Sequence, residues 1–203
     1  MRIAIVGDSH SEVWGPQMKK KLEEDGHQVV YSSYKRGWST QSYLNDSGFA
    51  SSIRAASPEI VVVGLGGNNG DLDYSTYSKK VAEMADLLRS AGAQEIVWLS
   101  PAEVPDGQRG EDVDKRHRET RNLQERIMPA LGIRWVDMYP VSQTNHQSST
   151  NVHFTREGYS KWVEHAYPAV QGAIAGTAPR ASSFPIAGVS ALAIAGFLLW
   201  KRL

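Results

Sequence analysis

Five short apolar or β-branched runs alternate with helical patterns along most of this chain, and that alternation narrows the fold more than any other feature. Arg2–Val6, His27–Ser32, Glu59–Gly64, Glu95–Ser100 and Ile133–Met138 are bounded by turn residues and are too short for helices, so they read as strands. Between and after them, Glu12–Asp25, Gly48–Ala56, Ser75–Ala91, Glu111–Leu131 and Thr155–Ala175 carry helical patterns. Gly26, Gly92 and Gly132 each stand just past a helix, where a residue in the left-handed conformation ends it. Strict βα alternation implies a parallel sheet, and right-handed crossovers then place helices on both of its faces. The expected fold class is α/β, a three-layer α/β/α sandwich around a five-stranded parallel sheet.

In such a sheet, ligands bind beyond the carboxyl ends of the strands, so the turns after strands carry the chemistry. Ser9 stands in one of these turns, in Gly7-Asp8-Ser9-His10, directly after Ile3-Ala4-Ile5-Val6. A serine there is either a helix N-cap or a nucleophile. Two further blocks fall where nucleophilic chemistry needs them: Gly66-Gly67-Asn68-Asn69 after another buried run, and Asn151-Val152-His153-Phe154 near the end of the globular part. Asn68 offers an uncharged amide donor to a developing oxyanion. The same glycine-rich turn does not suit a nucleotide phosphate, because no Gly-Lys-Ser/Thr follows and the spacing is not Gly-x-Gly-x-x-Gly. Among the histidines, His27, His117 and His165 fall on strand or helix positions and read as surface or packing residues. His10 is too close in sequence to Ser9 to be an obvious base, His146 lies in a polar loop, and His153 is the candidate base.

These blocks together resemble the SGNH (GDSL-type) hydrolase family over roughly Met1 to Ala175. The resemblance implies a flavodoxin-like strand order 2-1-3-4-5 and a serine esterase or O-deacetylase that needs no metal and no cofactor. It assigns Ser9 as nucleophile and His153 as base, with the Ser9 N–H, the Gly37 N–H and the Asn68 amide as oxyanion hole. Gly37, in Arg36-Gly37-Trp38-Ser39, reads equally well as an ordinary turn glycine. One departure stands out. Most members carry an aspartate three residues before the histidine, but this chain has Thr150 there and no Asp or Glu between Tyr139 and His153. Thr150, Asn151 or a backbone carbonyl can orient the imidazole without supplying charge, which leaves a Ser-His dyad. The alternative is a catalytically weak or inactive binding or structural protein of a cell or virion membrane. The family spans lipases, short-chain esterases and carbohydrate deacetylases, so an acyl or acetyl ester of an envelope glycan, peptidoglycan or lipid fits equally.

Composition removes other classes. Lysine plus arginine and aspartate plus glutamate are 22 each, so no net field draws the chain to nucleic acid. With no cysteine, disulfides, zinc-thiolate sites and a thiol nucleophile are excluded. Met1-Arg2-Ile3 runs straight into the first strand without a signal-peptide pattern. At the other end, Gly172–Ser183 has the composition of a flexible connector, and the domain is expected to end near Ala175, with residues 176–183 as linker. Residues 184–203 form the expected membrane anchor, since Phe184 to Trp200 carries no charge. A helix from Pro185 onward is about 28 Å long, close to the hydrocarbon thickness of a bilayer. Ala187, Ala191 and Ala195, beside Gly188 and Gly196, make a small-residue stripe through which such helices can pair in a homo-oligomer. A buried core helix is the competing reading of this segment.

Overall fold

The computed structural model describes residues 1–70, 73–102, 111–144 and 152–176. Strands β1 (Arg2–Gly7), β2 (Gln28–Tyr34), β3 (Ile60–Gly64), β4 (Glu95–Leu99) and β5 (Arg134–Val136) pair in parallel in the order β2-β1-β3-β4-β5. The helices are α1 (Ser11–Glu24), α2 (Thr40–Leu44), α3 (Ser47–Ala56), α4 (Tyr74–Ser90), α5 (Glu111–Ala130) and α6 (Arg156–Ile174). The five expected strands and five expected helices are all present, with ends shifted by one or two residues. Gly26, Gly92 and Gly132 adopt φ of 81°, 117° and 64°, as helix-ending residues do.

Ile3–Val6 and Ile60–Val63 are fully buried, as central strands covered on both faces must be. Their side chains alternate between two cores. Ile3, Ile5, Ile60 and Val62 pack with Trp14 and Met18 of α1 and with Trp162 and Val170 of α6. Ala4, Val6, Val61 and Val63 pack with Tyr43 of α2, Ile53 of α3, Met84 of α4 and Ile127 of α5. Helix α2 escapes a periodicity argument because one turn is too short to show a period. Its signal is the cap: the Ser39 hydroxyl accepts from the Ser42 N–H, and Ser42 answers with its own side chain.

The strand order reverses direction between β1 and β3, the switch point where a crevice opens beyond the strand ends. Close approach of α1 makes this region tight. A Cβ at Gly7 would lie 1.8 Å from the Ser11 hydroxyl oxygen, and one at Gly64 would lie 2.5 Å from the Trp14 ring. Only glycine at both strand ends lets the first turn of α1 sit down on the sheet.

The expected helix Thr155–Ala175 overlaps the start of the connector composition, and the structure keeps those residues helical. Helix α6 runs through Gly172 to Ile174, because Val170 and Ala173 are buried in the core and draw the chain along the sheet. Residues 177–203, with the rest of the linker and the whole apolar span, lie outside the described residues. Among the described residues no helix is long and apolar enough to cross a membrane.

Candidate active site

Asp8 builds the turn that carries Ser9. Its backbone N–H donates to the Gly64 carbonyl at 3.2 Å, tying the turn to the end of β3. Its carboxylate oxygen Oδ1 accepts from the His10 N–H at 3.0 Å, an Asx turn that fixes the intervening residue. The N-cap position of α1 belongs to His10, not Ser9, and no side chain caps the helix there. The Ser9 hydroxyl is therefore available, and its Oγ lies 3.0 Å from His153 Nε2. Among the described residues, the Ser9 N–H has no hydrogen-bond acceptor.

His153 reaches Ser9 because the chain entering α6 is pinned immediately after it. Phe154 is fully buried, with its ring against Tyr159 and Trp162, and the Thr155 hydroxyl caps α6 by accepting from the Gly158 N–H at 3.2 Å. The His10 ring stacks on Trp162 with centroids 5.7 Å apart and lies 5.0 Å from the His153 ring. Burial pushes the Tyr159 phenol upward, and its hydroxyl shares a hydrogen bond with His10 Nδ1 at 3.0 Å. His10 thus serves as an aromatic support beside the base. Thr150 and Asn151 lie outside the described residues.

The turn after β3 presents Asn68. The Leu65 carbonyl accepts from Trp98 Nε1 and Gln124 Nε2, both at 2.9 Å, which anchors the turn from beneath. Asn69 is buried, accepting from the Thr40 N–H at 3.1 Å and donating to the Tyr77 hydroxyl at 3.4 Å. Asn68, by contrast, is exposed and lines the cleft at Ser9. Its Nδ2 donates to the Trp38 carbonyl at 3.3 Å and to Asp8 Oδ2 at 3.5 Å, both at the long end of hydrogen bonding. Gly37 lies in the neighbouring turn, one residue before Trp38, whose carbonyl Asn68 engages. It occupies a turn closed by the Trp38 N–H on the Lys35 carbonyl at 3.1 Å, with φ of 72°, the value that favours glycine at the third position of a type II turn. It is exposed and is not among the residues lining the cleft.

The cleft holds about 140 Å³ of open space. Its lining includes Asp8, Ser9, Gly67 and Asn68 from the turns after β1 and β3, and Val113, Arg116 and His117 of α5. His117, which the sequence offers as a surface or packing residue, is buried and also lines the cleft. Its Nδ1 donates to the Ala102 carbonyl, which leaves Nε2 turned toward Gly67, where a Cβ would meet it at 3.2 Å. The available signal is spacing: positions 113, 116 and 117 share one face of a helix, and the buried polar Thr120 and Gln124 continue that face toward the β3 turn.

Burial pushes the Asp8 carboxyl up to about 7, although the His10 N–H hydrogen bond opposes the shift. A carboxyl whose folded value is raised favours folding when protonated. Its contribution is complete below about pH 4, the unfolded value, and is lost as the pH rises through about 7. Asp8→Asn is therefore expected to flatten the fall in Tm between pH 4 and 7. A pH–stability profile identical to that of the unaltered protein would show that Asp8 is ionised throughout.

The comparisons with known proteins follow the same geometry. A model of the GDSL-like Lipase/Acylhydrolase family matches residues 4–161. The chain is similar to the crystal structure of a lipase/acylhydrolase from Enterococcus faecalis, with a TM-score of 0.69 at 18% identity over 85% of this chain and 97% of that one. It is similar to a catalytic mutant of an acetylxylan esterase from Geobacillus stearothermophilus, with a TM-score of 0.67 at 11% identity over 83% of this chain and 93% of that one. It is also similar to an aryl esterase of M. smegmatis, with a TM-score of 0.62 at 15% identity over 85% of this chain and 98% of that one. Identities this low speak to the fold alone. No match was found among curated proteins. With the family pattern running through β1, the β3 turn and the start of α6, the chain belongs to the GDSL-like lipase/acylhydrolase family.

Proposed function

We propose that the chain is a serine ester hydrolase that works through an acyl-enzyme. The observation that carries this reading is the 3.0 Å contact between Ser9 Oγ, which lines the cleft, and His153 Nε2. His153 accepts the hydroxyl proton as Ser9 Oγ attacks the ester carbonyl carbon. The tetrahedral oxyanion is received by the unengaged Ser9 N–H and by the Asn68 amide once Nδ2 releases its long bonds. His153 then returns the proton to the departing alkoxide, and the alcohol leaves. Water, deprotonated by His153, attacks the acyl-serine, releasing the acid and restoring Ser9. The Gly37 N–H, in the turn that Asn68 reaches through the Trp38 carbonyl, is the third donor of this reading.

The base operates in this reading as half of a Ser-His dyad, with Thr150 or Asn151 orienting the imidazole. Supplying the acid tests that point. Thr150→Asp is expected to raise kcat, since a carboxylate stabilises the imidazolium formed during attack. An unchanged or lower kcat in a folded variant would mean that the ring already has a fixed partner. The hydrolase reading itself is tested by a fluorophosphonate probe, expected to label Ser9 and no other serine. Folded protein that remains unlabelled would identify a binding domain that has kept only the fold.

Membership of the GDSL-like lipase/acylhydrolase family supports an ester as the substrate class, and a short acyl group suits a cleft of about 140 Å³. We extend the proposal to the tail, as a single membrane anchor over residues 184–203 that holds the hydrolase near an envelope glycan, peptidoglycan or lipid ester. Its support is the uncharged stretch from Phe184 to Trp200. The full chain is expected to stay with membranes through a carbonate wash, while protein ending at Ala175 stays in solution. Release of the full chain by carbonate would overturn the anchor.

A further inference from the structure

Arg116 lines the cleft wall as a cation, and among the described residues it has no ion-pair partner of the kind its neighbours have. On the same helix, Lys115 pairs with Glu119 at 3.9 Å, and Arg121 grips Asp137 through Nε at 2.7 Å and Nη2 at 2.5 Å. Elsewhere Arg36 meets Glu12 at 2.7 Å. Among the described residues Arg116 forms no ion pair, and its Nε is shut off from solvent without an acceptor. The side chain as a whole is half-buried and lines the cleft that contains Ser9, Asn68 and His117.

A guanidinium on an enclosed wall is less screened than one on open surface, and its planar donor array matches a carboxylate. The carboxylate that shares the cleft does not serve it, because Asp8 is committed to the His10 N–H and to Asn68. A charge held in this way stabilises whatever anion enters beside the nucleophile. We propose that Arg116 is a specificity-determining residue that selects esters carrying a carboxylate or comparable anionic group near the scissile bond. This inference rests on the hydrolase reading for its turnover but not for its binding. Val113, one turn earlier on the same face, adds an apolar surface for the carbon chain between the ester and the anion.

Two matched pairs locate the charge. Mono-4-nitrophenyl adipate against its methyl ester places the anion in the acyl part, and 4-acetoxybenzoate against its methyl ester places it in the alcohol part. In the unaltered protein at low salt, the anionic member of one pair is expected to have the higher kcat/KM. Arg116→Gln is expected to lower that anionic-to-neutral ratio about tenfold or more, and Arg116→Glu to invert it. Arg116→Lys is expected to retain part of the preference, since it keeps the charge and loses the planar fork. Added salt is expected to erode the ratio. A ratio that is the same in all four proteins, with hydrolysis intact, would overturn the inference and leave the hydrolase standing. Binding separates the reverse case. Adipate and 4-acetoxybenzoate titrated calorimetrically into the Ser9→Ala protein are expected to give a Kd that weakens about tenfold when Arg116→Gln is added. If no ester is hydrolysed yet that weakening is seen, the charge selection stands and the hydrolase reading falls. If adipate and 4-acetoxybenzoate bind equally with and without Arg116, the inference falls whatever the turnover.

Discussion

Ser9→Ala is expected to lower kcat for 4-nitrophenyl acetate by about 10⁴-fold or more, with the fold unchanged. The expectation comes from the geometry of a pair rather than of one residue. Ser9 Oγ and His153 Nε2 are 3.0 Å apart, so removing the oxygen leaves the base nothing to deprotonate, and removing the imidazole leaves the hydroxyl at its ordinary reactivity. His153→Ala should therefore cost a comparable factor. Ser9→Ala combined with His153→Ala should cost little more than either alone, because groups that act as one unit are strongly non-additive. Ser9 makes no cap hydrogen bond to α1, so the loss should not be accompanied by a large fall in Tm. Multiplying losses in the double variant, or rates near those of the unaltered protein in Ser9→Ala, would remove Ser9 and His153 from the chemistry.

Much of this arrangement is legible in the sequence, for identifiable reasons. Strands such as Ile60–Gly64 are apolar on both faces and end in glycine, so the parallel sheet and the turns that carry function can be read directly. Ser9 and His153 are 144 positions apart, and no periodicity connects them; only the block pattern around each makes the pairing an expectation. What stays hidden is decided by helix orientation. Arg116 and His117 lie in a strongly charged stretch, Glu111 to Arg126, where the sequence does not reveal which face meets solvent and which meets the cleft. Gln124 decides it, because its bonds to the Leu65 carbonyl at 2.9 Å and the Tyr77 hydroxyl at 2.8 Å lock the rotation of α5. Gly37 shows a different limit. Its glycine is legible, but a turn's need for positive φ and an oxyanion hole's need for close approach leave the same mark in a sequence.

Asn68→Ala is expected to lower kcat by roughly 10²–10³-fold while changing KM little, since an oxyanion donor acts mainly on the charge formed during attack. Asn68 and Asn69 are adjacent and chemically identical, and the structure gives them different work. Asn69 is 2% exposed and bonded on both sides of its amide, to the Thr40 N–H and the Tyr77 hydroxyl, so Asn69→Ala should act on stability. Removing one partner from such a buried contact costs about 1–3 kcal/mol, read as a lower Tm. Asn68 is exposed and held by bonds of 3.3 and 3.5 Å, weak enough to exchange for a full negative charge on the substrate oxygen. Its replacement should leave Tm nearly unchanged. The rate of fluorophosphonate labelling at Ser9 should fall with kcat, because phosphonylation also develops charge on the oxygen received there. An Asn68→Ala protein that keeps its kcat but loses several degrees of Tm would make Asn68 a tie between the β2 and β3 turns, and the oxyanion would then rest on backbone donors alone.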